Sequence, residues 1–134
     1  MISDKIEFRV RYGETDQMSY VYHGNYAAYF EMGRTEWLRK LGVSYKKMEE
    51  DGIMLPVISL NTNYLKPAKY DDILILKTTL AKKPTARIEF KFEITNQQNE
   101  LLTTAIAVLV FVNMKANRPT RIPKYLLDKI NFKE

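Results

Sequence analysis

The 134-residue chain contains no cysteine, which removes disulfides, cysteine-bound zinc, iron–sulfur clusters and a cysteine nucleophile together. Nothing in it calls for an oxidising compartment, so a cytoplasmic protein is expected. Histidine is nearly as scarce. His23 is the single one, and a metal site built on two imidazoles cannot form within one chain. The five glycines stand apart at 13, 24, 33, 42 and 52, with no G-x-G-x-x-G, no Gly-rich phosphate loop and no G-x-S-x-G. Nucleotide-dependent chemistry and a serine nucleophile elbow lose their basis. Long apolar runs are missing too: the longest, 105–112, is too short to cross a bilayer and reads as a buried strand. The first residues, 1–7, mix charges where a secretory signal would be apolar. Neither a leader nor a transmembrane segment is expected.

What is present fits a single domain over 1–134. Hydrophobic residues make up 46% and charged residues 28%, a balance suited to one core. Lysine plus arginine is 21 against 16 acids, a net charge of +5. The excess is scattered, with Lys46-Lys47 and Lys82-Lys83 its densest spots, as on a solubilising surface rather than a nucleic-acid patch. No nucleic-acid partner is expected.

Residues 5–12 alternate Ile6, Phe8, Val10 and Tyr12 against Glu7, Arg9 and Arg11, a strand with one covered face. From about 25 to 41, Tyr26, Phe30, Gly33, Trp37 and Leu41 recur at helical spacing. Asn25 stands at the N-cap position, Gly42 at C′, and Arg39 and Lys40 in the last turn. A short helix follows over 44–51, capped by Ser44 and stopped by Gly52. Strands are predicted at 54–65, 73–82, 87–95 and 101–112, the last covered on both faces, by a helix and by a second subunit or sheet, and a short helix opened by Pro123 runs to 129. This is an α+β domain in which an antiparallel sheet wraps one long helix. The lone helix covers one sheet face, so a second copy is expected on the other.

Chemistry has one natural place, the junction at 12–26, which holds the lone histidine, two acids, several tyrosines and two glycines. A helix N-terminus offers unpaired N–H groups and a positive dipole end, suited to a carbonyl oxygen gaining charge during acyl transfer. Gly24 would let a ligand approach the backbone closely. Asp16 can act there as nucleophile or general base. An aspartate in a Glu-Thr-Asp loop also reads as a turn former, and on these residues alone both roles stay open.

Three stretches carry a resemblance: Arg9-Val10-Arg11-Tyr12-Gly13-Glu14-Thr15-Asp16, Val21-Tyr22-His23-Gly24-Asn25-Tyr26, and Tyr29-Phe30-Glu31-Met32-Gly33-Arg34-Thr35-Glu36-Trp37-Leu38. Together they resemble the signature of hotdog-fold acyl-CoA thioesterases of the 4-hydroxybenzoyl-CoA type, the Tol-Pal-associated bacterial members above all. Leu65-Lys66-Pro67-Ala68-Lys69-Tyr70-Asp71-Asp72 is similar to the family's next marker. The resemblance implies a curved antiparallel sheet around one helix, paired into dimers or dimers of dimers. It implies hydrolysis of an acyl-CoA thioester to free acid and CoA, without metal or cofactor. At the matching positions it makes Asp16 the catalytic carboxylate, sets His23 beside the thioester, and has a backbone N–H around His23 or Gly24 polarise the carbonyl. Tyr26 joins the substrate-binding groups, and Tyr12 is a lesser site residue.

Two positions depart from the family pattern. Ser19 stands where glycine is common and would reroute the backbone, and Tyr20 replaces a small aliphatic residue and would narrow the acyl pocket. These departures keep an alternative open, a hotdog domain that binds acyl-CoA or acyl carrier protein without cleaving it. Glu31 is a helical acid, the kind another hotdog branch uses as its catalyst, and is read here as an ion pair with Arg34. Asp71-Asp72 reads as a turn. Lys66, Lys82, Lys83 and Arg87 are candidate contacts for CoA phosphates.

Overall fold

The alternation at the start of the chain produces strand β1 (Ser3–Arg9). The computed structural model describes residues 2–130. β1 ends earlier than its alternation predicts. Val10 is buried, but Tyr12 leaves the strand for a 3₁₀ turn, Tyr12–Glu14, and is 78% exposed. The cause is local: the Arg11 N–H donates to Glu14 Oε1 (2.8 Å) and the Glu14 N–H to the Arg11 carbonyl (2.9 Å).

Helix α1 (Tyr26–Lys40) buries Tyr26, Tyr29, Phe30, Gly33, Trp37 and Leu38, the stripe its spacing predicts. It stops as expected, with Gly42 at φ +84 and its N–H donating to the Arg39 carbonyl at 2.9 Å. Its start differs. A 3₁₀ turn, His23–Asn25, precedes it, and Asn25 is already helical with no side-chain cap bond. The Asn25 amide donates to the Glu14 carbonyl at 2.8 Å instead, a tertiary tie in place of a cap. Helix α2 (Tyr45–Glu50) is capped by Ser44, whose Oγ accepts from the Lys47 N–H, and ends before Gly52 at φ +88.

The predicted strand at 54–65 divides around Pro56, which has no N–H to donate, into β2 (Ile53–Met54) and β3 (Val57–Tyr64). β4 (Ile73–Leu80) and β5 (Arg87–Thr95) follow. The apolar run at 101–112 breaks at Phe111 into β6 (Leu101–Val110) and β7 (Val112–Asn113). β7 pairs with β2 and with β8 (Arg118–Pro119), a small sheet that periodicity did not disclose. The predicted helix through 129 is shorter, α3 (Lys124–Leu127). The main sheet is antiparallel, five-stranded and ordered β1-β4-β5-β6-β3.

α1 lies across the inner face of this sheet. Ile88, Phe90, Phe92 and Ile94, the even positions of β5, are all 0% exposed. Phe30 stacks on Phe92 at 4.7 Å between centroids, and Trp37 meets Phe90 edge-on at 5.1 Å. Gly33 sets the closest approach, since a Cβ there would lie 2.6 Å from Thr78 Oγ1 and 2.7 Å from Leu76 Cδ2. Among the described residues no helix covers the outer face, where Ile106 is exposed. Within one chain β6 is therefore covered on its inner face, and the outer face is the one left for the expected second copy.

Between β1 and α1, Ser19 adopts φ +65. The serine holds the left-handed conformation that glycine takes freely. That conformation costs a non-glycine residue about 1–2 kcal/mol.

Replacing Gly33 by alanine is expected to destabilise the protein by about 1–3 kcal/mol, because helix or sheet must shift to admit the methyl group. Urea denaturation measures this, and an unchanged midpoint would contradict the close approach. Ser19→Gly should stabilise by about 0.5–1 kcal/mol, the strain relieved less the extra entropy glycine loses on folding. A lower melting temperature would count against that account.

Candidate active site

The loop after β1 folds back on its own aspartate. The Asp16 N–H donates to the Tyr20 carbonyl (2.8 Å) and the Ser19 N–H to the Asp16 carbonyl (3.0 Å). Asp16 Oδ1 accepts from the N–H groups of Met18 (2.9 Å) and Tyr20 (3.3 Å). Asp16 is thus a turn former, yet among the described residues Oδ2 takes no hydrogen bond, so one oxygen stays available for chemistry. Residues 65–72 dock on this loop: the Val21 N–H donates to the Ala68 carbonyl (2.8 Å), the Tyr70 N–H to the Ser19 carbonyl (2.9 Å), and Tyr20 bridges Lys69. Docking carries Leu65, Lys66 and Pro67 to the side of Asp16.

Glu14 ties the same loop to the helix. Its carboxylate accepts from the Arg11 N–H and guanidinium and from the Tyr29 hydroxyl (2.9 Å). Its carbonyl accepts from the Tyr22 N–H (2.9 Å) and the Asn25 amide. Partial burial pushes the Glu14 carboxyl up, but the hydrogen bonds from Arg11 and Tyr29 outweigh it and hold the group below the usual carboxylate range. Since the folded value lies below the unfolded one, its contribution to stability is present at neutral pH and fades as pH falls through the depressed value. Burial raises the Tyr29 phenol, as does its bond to the Glu14 carboxylate, so it remains a neutral donor.

At the tip of α1 the Asn25 N–H donates to the Tyr22 carbonyl (2.9 Å) and the Tyr26 N–H to the His23 carbonyl. Among the described residues, the N–H groups of His23 and Gly24 meet no acceptor, as the first donors of a helical segment do not. These are the donors an oxyanion needs.

A cleft of about 310 Å³ opens beside them, lined by Asp16, Tyr20, Val21, His23, Tyr26, Tyr64, Leu65, Lys66 and Pro67. The fold therefore brings Asp16, His23 and Tyr26 together. Tyr26 is buried, meets Tyr64 edge-on at 5.2 Å, and is raised above its ordinary value chiefly by burial. Tyr12 and Gly24 do not line the cleft. Tyr12 packs against Tyr70 (5.5 Å). The space over Gly24 belongs to Tyr22, whose Cε2 would lie 2.5 Å from a Cβ there, so the expected open approach to that backbone is filled by a ring. The same ring lies tilted against His23, 4.5 Å between centroids.

Of the other candidates, Glu31 faces Arg34 at 3.9 Å, away from this cleft. Asp71, at φ +70, pairs with Arg9 in the expected turn. Lys66 reaches the cleft while bonded to Glu100 (2.7 Å), and Lys82 pairs with Glu89. Lys83 and Arg87 lie outside the cleft. Tyr64 and the anchoring role of Glu14 escaped the sequence reading. Tyr64 belongs to a strand distant in sequence, and Glu14 shows only as one acid of a pair. Among the described residues no three of the His, Asp and Glu side chains stand close enough to hold a metal ion.

A family model described as the thioesterase-like superfamily matches residues 10–130. The chain is similar to YneP of Bacillus subtilis, provisionally named an acyl-CoA thioesterase, with 34% identity over 92% of this chain and 90% of that protein. It is similar to the acyl-CoA thioester hydrolase YbgC of Escherichia coli, with 31% identity over 89% of each. Among solved structures, a DHNA-CoA thioesterase from Staphylococcus aureus superposes with a TM-score of 0.88 at 41% identity, covering 96% of this chain and 86% of that one. Since the matched stretch takes in the aspartate loop, the helix tip and every strand after them, the chain belongs to the thioesterase-like superfamily and is a hotdog-fold thioesterase.

Proposed function

We propose that the chain hydrolyses an acyl-CoA thioester to the free acid and CoA, with Asp16 as the catalytic carboxylate and a backbone N–H at His23 or Gly24 as the oxyanion donor. The observation that carries this reading is the shared cleft: Asp16 and His23 line it together at the helix tip. The thioester carbonyl accepts from the tip, where the positive dipole end favours the charge growing on oxygen. Asp16 acts on the carbonyl carbon, as nucleophile or by taking a proton from an attacking water. By either route one water is consumed: it attacks the thioester carbon itself, or it hydrolyses the acyl–Asp16 anhydride left when the carboxylate displaces sulfur. The C–S bond breaks, sulfur takes up a proton as CoA thiol, and the acyl carbon ends as a carboxylate. No metal or cofactor enters these steps. Tyr20, Tyr26 and Tyr64 supply ring faces and edges for the acyl group, which favours an aromatic acyl chain. The similar enzyme from Staphylococcus aureus is named for an aryl thioester of this kind.

The proposal includes a homodimer in the cytoplasm, with dimers of dimers as its larger form. β3 is an edge strand, paired only with β6. Val57, Leu60 and Tyr64, on the face that carries buried Ala105 and Ala107, are exposed at this edge even though Tyr26 of α1 meets the Tyr64 ring. A long apolar edge of this kind is a template for another strand. A second copy pairing there covers these side chains and closes the cleft beside Tyr64. No helix among the described residues is long and apolar enough to cross a membrane.

Asp16→Asn keeps the oxygen that Met18 and Tyr20 bond, so the loop should fold while kcat falls by about 10²–10⁴-fold. Free-thiol release across short, long and aromatic acyl-CoAs tests this. Equal turnover by the variant would overturn the assignment, and no release by the wild type would favour a binding domain. Leu60→Lys is expected to convert dimer to monomer in light scattering and to lower activity, whereas a wild-type mass would remove β3 as the interface.

A further inference from the structure

We propose that Glu14 is a positioning residue for thioester hydrolysis, fixing the Asp16 loop against the tip of α1; this rests on the reading of Asp16 as the catalytic carboxylate. Glu14 Oε1 accepts from the Arg11 N–H (2.8 Å) and the Tyr29 hydroxyl (2.9 Å), and Oε2 from Arg11 Nε (2.9 Å) and Nη2 (2.6 Å). Its carbonyl accepts from the Tyr22 N–H (2.9 Å) and Asn25 Nδ2 (2.8 Å). One residue thereby joins the end of β1, the segment entering the tip and the buried face of α1. Asp16 follows two residues later, and Thr15 bridges Val21, the next residue of the cleft wall.

A glutamate that only closed the 3₁₀ turn would need Arg11 alone. The bond from Tyr29 adds nothing to that turn; it ties the carboxylate to α1, beside the backbone bonds from Tyr22 and Asn25 that any carbonyl at position 14 would accept, and so holds the Asp16 loop against the helix tip. The Tyr29 side of the network is shielded, with the Glu14 side chain 14% exposed and Tyr29 2% exposed, whereas the Arg11 side chain is 80% exposed, so water does not substitute readily for a lost Tyr29 hydroxyl. Glu14 does not line the cleft and touches no reacting atom. Its action passes through Asp16.

The test compares Glu14→Ala, Glu14→Gln and Tyr29→Phe with Asp16→Asn, using the acyl-CoA that the wild type cleaves fastest in the thiol-release panel. Glu14→Ala should lower kcat by about 10–100-fold with KM nearly unchanged, the scale of a misplacement near 1 Å. Glu14→Gln retains an oxygen for the Arg11 N–H and the Tyr29 hydroxyl and should recover most of the rate. Tyr29→Phe, which removes only the tie to α1, should lower kcat by about threefold to tenfold, the worth of one hydrogen bond. If Glu14→Ala does not fold, Tyr29→Phe and Glu14→Gln decide the matter. Lowered melting temperatures with wild-type kcat in Glu14→Ala, or in Tyr29→Phe where Glu14→Ala does not fold, would overturn the positioning role while leaving Asp16 in place. Wild-type kcat in Asp16→Asn would overturn the reading of the site and this inference with it.

Discussion

The whole arrangement depends on α1 filling the inner face of the curved sheet. Phe30 against Phe92 and Trp37 against Phe90 fix the helix laterally, and Gly33 lets it sit directly on Thr78 and Leu76. Aromatic packing at this density leaves no slack along the helix axis. The tip of the helix is therefore held in space by residues far from it.

Against that fixed tip the chain folds a loop whose own bonds are short-range. Asp16 Oδ1 closes the loop on Met18 and Tyr20, and Ser19 accepts a left-handed backbone to do so. Neither device orients the loop relative to α1. Glu14, Asn25 and the docked segment at 65–72 supply that orientation, through bonds that cross between separate parts of the chain. The same geometry leaves β3 exposed at the sheet edge beside the cleft, so the wall near Tyr64 and the apolar edge form one continuous surface.

Much of this was legible in the residues. The alternation of β5, the stripe of α1, the Ser44 cap and the glycines after both helices are local or periodic signals, and they appear where their physics requires. Other features were not readable that way. Tyr12 continued an alternating pattern yet left the strand, because a side chain three residues on captured the Arg11 N–H. Asn25 had the right type for a cap, but its amide found the Glu14 carbonyl. Pro56 and Phe111 divided strands whose hydrophobicity ran on without a break, and the pieces became a second small sheet.

The sequence by itself determined the main helix, the long strands, the face each buries and the chemistry available at residues 16 and 23, since period and side-chain type act over a few residues. Only the tertiary structure decided which of the junction's residues share a cleft. Tyr26 and Tyr64 enter it, while Gly24 is covered by Tyr22 and Tyr12 turns outward. The reason is physical: membership depends on how distant segments dock, and docking is set by hydrogen bonds and ring contacts between parts of the chain that no local pattern connects.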